Sequence, residues 1–187
     1  MESDRLKWNE KHAGKTGNHP PDAYLVKQNQ RLQMGNALDI ACGRGRNALY
    51  LARQGFQVTA VDLSEVALAA LQRESSLADL SIRIIEADLD TMPAELSKIN
   101  VNTAIIINFK PTNLFLKSIP AILSNDGTLL WCSYNELQSA ATGFSPHLAL
   151  HQNEYIGFFT EMKLLDYTRF EDESGFRDGY VFQKKSP

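Results

Sequence analysis

The chain has 187 residues, of which 43% are hydrophobic, with a formal net charge of −3 and two cysteines. That is one domain of ordinary size with enough apolar residues for its own core, so disorder is excluded for most of it. The mixed, slightly acidic charge offers no electrostatic reason for a nucleic-acid or anionic membrane partner, and two isolated thiols fit a reducing compartment.

The first segment, residues 1–21, is polar and punctuated by Gly14, Gly17 and Pro20-Pro21, so it reads as an arm or lid with a helical turn around Trp8. Its charged start has no apolar run of the signal-peptide kind. The longest strongly apolar stretch, Ala104 to Ile107, is far too short for a bilayer. A cytoplasmic location is the expectation. Asp22 caps a helix expected to reach Gln33. ALDIA (37–41) is a short buried strand, 46–54 a helix stopped by Gly55, FQVTAVD (56–62) a second strand, and Ser64 the N-cap of a helix to about Leu77.

SIRIIEA (81–87) and VNTAIIIN (101–108) are the third and fourth strands, the latter bare of charge as a central parallel strand should be. A helix starts at Pro111 and must be kinked or shortened by Pro120. Asp126-Gly127 is expected to turn into a fifth strand, TLLWCSY (128–134). NEYIGFFTEM (153–162) is expected to be helical. MKLLDYTRF (162–170) and GYVFQKK (179–185) are expected to pair antiparallel across EDESGFRD. This alternation predicts an α/β fold: a doubly wound, Rossmann-like sheet, mostly parallel, with an antiparallel C-terminal hairpin, over residues 22–187. Ligands of such sheets lie beyond the carboxyl ends of the strands, where strand order reverses.

The loop after the first strand stands at that place. Gly43-Arg44-Gly45-Arg46-Asn47-Ala48 fits the G-x-G-x-x-A pattern of a dinucleotide site, with Asp62 near the expected ribose-binding position. Asp39 argues for a different ligand. It lies at the end of an otherwise apolar strand, where an unpaired carboxylate is costly. A pyrophosphate would add repulsion, whereas a ligand carrying an ammonium or sulfonium would relieve it. Two acids around a glycine loop therefore suit a cationic nucleoside better than an anionic dinucleotide.

The set DIACGRGRNAL, VTAVDLS and IEADL resembles the class I S-adenosylmethionine-dependent methyltransferases. The CGRGRNAL form and SPHLALHQNEYIGFF look most like the small tellurite-resistance-type and thiopurine-type members. The resemblance implies S-adenosylmethionine as cofactor and methyl transfer to a small-molecule acceptor, with a soft sulfur, selenium or tellurium nucleophile as one candidate. It places Asp39, Ala41, Cys42, Gly43, Gly45, Arg46 and Asn47 along the first motif, with Ala41 standing where glycine is more usual. It puts Asp62, Leu63 and Ser64 at the ribose, Ala87, Asp88 and Leu89 at the adenine, and Asn108 and Phe109 toward the methyl group.

Several of these residues also have a structural reading. Asp62 could be a helix cap, Phe109 core packing, and Cys42 only a small residue that fits its loop. His147 and His151 lack the third ligand that a metal site needs, so no metal is expected. Arg169 and Arg177 are candidates to hold an anionic acceptor or to be solvated. No general base can be named. The rival functions are an NAD-dependent oxidoreductase, for which Asp39 is out of place, and a cofactor-binding module without catalysis.

Overall fold

The computed structural model describes residues 2–17, 19–90 and 92–186. Seven strands form one sheet: β1 (Asn36–Ile40), β2 (Gln57–Asp62), β3 (Ile82–Glu86), β4 (Val101–Ile107), β5 (Leu123–Tyr134), β6 (Met162–Asp172) and β7 (Gly175–Lys184). Their order is β3-β2-β1-β4-β5-β7-β6; the first five are parallel, and β7 runs antiparallel to both β5 and β6. From β1 the chain winds outward through β2 and β3, then returns to β4 on the other flank. The reversal therefore lies between β1 and β4, where Asp39 is paired with Ile105.

Helices cover both faces: α1 (Glu2–His12), α2 (Ala23–Gln28), α3 (Arg46–Arg53), α4 (Glu65–Leu77), α5 (Asn113–Ile122) and α6 (Glu136–Thr142). One core lies between the sheet and α5, built on Leu38, Ile106, Phe115, Trp131 and Tyr180. The other lies under α2, α3 and α4, built on Leu25, Leu49, Leu71, Ile105 and Val181. The alternation Ile105/Ile106 shows how a charge-free strand feeds both layers. Ser64 and Asp22 cap their helices through side-chain oxygens, as their positions before apolar runs predict.

Several elements differ from the sequence expectation. The helix from Asp22 does not reach Gln33; it tightens into a 3-10 turn at Asn29–Arg31. The segment 153–162 is not a helix but a chain of turns. Asn153 (φ 63) and Gly157 (φ 78) take left-handed conformations that an α-helix cannot hold, while Tyr155 and Phe159 are buried in the core. A helix forms earlier instead, at α6, capped by the Asn135 side chain and closed by Gly143 at φ 74. Asp126-Gly127 does not separate a helix from a strand, because β5 already starts at Leu123. The hairpin connection is also shorter than EDESGFRD, since strand pairing continues to Asp172 and resumes at Gly175. Pro120 falls in the last turn of α5, two residues before its end. Among the described residues no helix is long and apolar enough to cross a membrane.

Candidate active site

The carboxyl ends of β1, β2, β3 and β4 bring the expected residues to one edge of the sheet. Asp39 ends up 1% exposed, and its Oδ2 has no hydrogen-bond partner. Burial, then the nearby charge of Asp62, pushes its pKa up to about 8, against a backbone hydrogen bond at Ala48. The loop above it leaves β1 through Ala41, whose φ of 57 is a glycine-like conformation held by an alanine. Gly45 (φ 79) begins α3, and a Cβ there would collide with the Leu71 side chain, so helix and loop approach as closely as they do only with glycine. Cys42 is buried beside Asp39 and Asp62; burial raises its pKa well above the usual thiol range, which leaves a neutral packing residue.

Asp62, at the end of β2, joins the motifs. Its Oδ2 accepts the Gly43 amide at 2.7 Å and its Oδ1 accepts the Ser64 amide at 2.9 Å. It is therefore both a helix-entry cap and the link between glycine loop and second strand. The Ala87 amide donates to the Asp62 carbonyl, so the segment after β3 is registered on the same point. Asp88 Oδ1 accepts the Asp90 amide, and Leu89 is buried. Beyond β4, Asn108 (φ 57) donates its amide to the Cys132 carbonyl, and the Phe109 carbonyl accepts the Trp131 indole N–H at 2.9 Å. Phe109 packs partly buried on the core, and Trp131 is buried in it.

Arg46 and Asn47 are turned elsewhere. Arg46 reaches Asp22 at 3.0 Å, and the Asn47 side-chain oxygen accepts the Asp22 amide. Asp22 also takes Arg177 at 2.6 Å, and Arg177 in turn meets Asp172 and, at 3.4 Å, Asn108. Arg177 is thus neither solvated nor free for an acceptor; it is fully buried between two carboxylates. Arg169 is likewise committed, to Asp178 at 2.9 Å and Glu136 at 2.8 Å. These clusters tie the hairpin to the edge of the site. Their members lie up to 155 residues apart, and no local pattern announces them.

The arm is more ordered than its composition suggests. α1 lies against α4: the Asn9 side-chain oxygen accepts the Ser64 hydroxyl at 2.8 Å, and its amide donates to Glu65. His12 lies beside Gly43, its ring 3.6 Å from where a Cβ on that glycine would stand, and burial lowers its pKa although Asp62 opposes this. Trp8 stacks on His12, and the Lys11 ammonium lies over the Trp8 ring, 4.1 Å from its centroid. His147 and His151 are both exposed, and no group of three ligating side chains suited to a metal occurs among the described residues.

Comparison with known proteins gives these features a context. A model described as a methyltransferase domain matches residues 37–127. A protein of Geobacillus sp. (strain WCH70), a methyltransferase by name, is 38% identical over 64 residues, 34% of this chain. That aligned stretch spans only about a quarter (26%) of the relative's own length. Among solved structures, a S-adenosylmethionine-dependent methyltransferase from Clostridium acetobutylicum ATCC 824 superposes with a TM-score of 0.71 at 14% identity, over 98% of this chain and 93% of that one. TehB from Haemophilus influenzae gives a TM-score of 0.71 at 19% identity, over 95% of this chain and 65% of that one. Residues 37–127 therefore carry the sequence pattern of a methyltransferase domain, set in the fold that S-adenosylmethionine-dependent methyltransferases share.

Proposed function

We propose that this chain is a S-adenosylmethionine-dependent methyltransferase acting on a small-molecule acceptor. The observation that carries the reading is the buried Asp39 with an orphaned oxygen, set under a glycine loop that Asp62 fixes, at the reversal of strand order. A buried acid with an unmet oxygen fits a cationic ligand and disfavours a pyrophosphate. The residues present fit the cofactor: Asp62 and Leu63 for the ribose, Ala87, Asp88 and Leu89 for the adenine, and Asp39, Ala41, Gly43 and Gly45 under the amino-acid portion.

When bound, S-adenosylmethionine supplies a methyl group on a sulfonium that leaves as a neutral thioether. The chain's own work is alignment, which can supply about 7–11 kcal/mol. The tie of Gly43 to Asp62 holds the loop in shape before any ligand arrives, and Asn108 and Phe109 end β4 on the acceptor side. We assign α1 as a lid: Asn9 fastens it to α4, and His12, with Trp8 stacked on it, stands beside Gly43 of the glycine loop, where it excludes water.

A soft acceptor, a thiolate or heavier chalcogen anion, fits best, because such a nucleophile needs no general base at neutral pH. The nearby buried carboxylates support this: Asp22 and Asp178 are each held by arginine. The test is radiolabelled methyl transfer to a panel of thiols, selenite, phenols and amines. Transfer to thiols or selenite is expected; transfer confined to phenols or amines would overturn the acceptor class. Thermal stabilisation by NAD and none by S-adenosylhomocysteine would overturn the methyltransferase reading itself.

A further inference from the structure

Beside the cofactor edge, a groove of about 350 Å³ opens between the arm and α4. Its charged lining is entirely basic, Lys15 from the arm, Arg44 from the glycine loop and Arg73 from α4, with the His12 ring beside them. Val66 and Ala69 form an apolar part of its wall. This is unexpected in a chain whose net charge is −3. Among the described residues, none of Lys15, Arg44 and Arg73 is paired with a carboxylate.

Unpaired cations gathered around a concave surface repel one another unless an anion joins them. Two arginines and a lysine favour a multiply charged oxyanion, because guanidinium groups match phosphate in bidentate fashion. The groove also has more apolar wall than a bare ion requires. We propose that it is a binding site for a small organic phosphate, separate from the cofactor crevice, with the phosphate among His12, Lys15, Arg44 and Arg73 and the organic body on Val66 and Ala69. The ligand touches both the arm and α4, so it staples the arm to the body. Resting on the reading of α1 as a lid, this makes anion and cofactor binding mutually reinforcing, since the first ligand orders what the second requires.

Calorimetric titration of the full chain with phenyl phosphate, inorganic phosphate and phenol at constant ionic strength tests the site. Phenyl phosphate is expected to bind with a Kd below about 1 mM, inorganic phosphate more weakly, and phenol not at all. Arg73→Gln and Lys15→Gln, both on the surface, should each weaken phenyl phosphate about tenfold with an unchanged melting temperature. Saturating phenyl phosphate should tighten S-adenosylhomocysteine by about fivefold or more. Absence of binding, or binding unaffected by Arg73→Gln, overturns the site. Equal affinity for inorganic phosphate overturns the organic ligand, and competition with S-adenosylhomocysteine overturns the separateness of the groove. Binding that leaves S-adenosylhomocysteine affinity unchanged overturns the coupling through the lid while sparing the cofactor assignment.

Discussion

Asp62 Oδ2 and the Gly43 amide, 2.7 Å apart, make the end of the second strand and the glycine loop a single unit. A ligand that engages the Asp62 carboxylate therefore meets a group already oriented by the loop it must also touch. Asp62→Ala should weaken S-adenosylhomocysteine at least tenfold, as expected for loss of a charge-assisted contact of roughly 1.5–3 kcal/mol. The same change strips acceptors from two amides, and a stability loss of about 1–3 kcal/mol should accompany it. Calorimetry and urea unfolding of one variant measure both. Unchanged affinity in a folded variant would reduce Asp62 to a cap.

Asp39 predicts a pH dependence. Its folded pKa is raised to about 8, whereas an unfolded aspartate titrates near 3.9. The folded state therefore binds the extra proton, and stability is fully present below about pH 4 and is lost as pH rises toward about 8. Asp39→Asn should flatten this decline and, without ligand, raise stability at pH 8 by on the order of a few kcal/mol. The same substitution should weaken S-adenosylmethionine. Melting curves from pH 5 to 8 for both proteins are the check.

Ala41 holds a left-handed backbone at φ 57, which costs a residue with a Cβ roughly 1–2 kcal/mol. Ala41→Gly should stabilise the chain by about 1 kcal/mol, or about 2–4 °C in Tm for a domain of this size. Thermal unfolding without ligand decides it, and a destabilised variant would show that the methyl group packs productively.

The succession of strands and helices, the glycine loop and both acids were legible because each leaves a local trace: apolar runs of strand length, small residues where the chain turns, a lone Asp in an apolar strand. Where expectation failed, tertiary packing had overridden local pattern. Residues 153–162 have helical spacing, yet Tyr155 and Phe159 are drawn into the core from turns. Arg177 looked like a surface cation and is buried, because its partners Asp22 and Asp172 come from a helix cap and the neighbouring strand. Arg177→Met should accordingly cost about 3–5 kcal/mol, the usual penalty for orphaning a buried charge; equilibrium unfolding will show whether it does.

The docking of α1 also escaped composition, since its contacts run through polar groups, Asn9 to Ser64 and Glu65. Asn9→Ala should leave the stability of the ligand-free chain within about 1 kcal/mol of the parent, because the bonds lie near the surface. It should loosen S-adenosylhomocysteine several-fold and speed tryptic cleavage at Lys11 and Lys15 in the complex. Equal affinity and equal cleavage would make α1 a fixed appendage instead of a lid.

The most direct test of the central claim is a crystal structure with S-adenosylhomocysteine. The ribose hydroxyls are expected on Asp62, the adenine beside Asp88, the amino-acid portion over Gly43 and Gly45 above Asp39, and α1 closed across it. Density for the ligand at any other edge of the sheet, or no binding in solution at millimolar concentration, would contradict it.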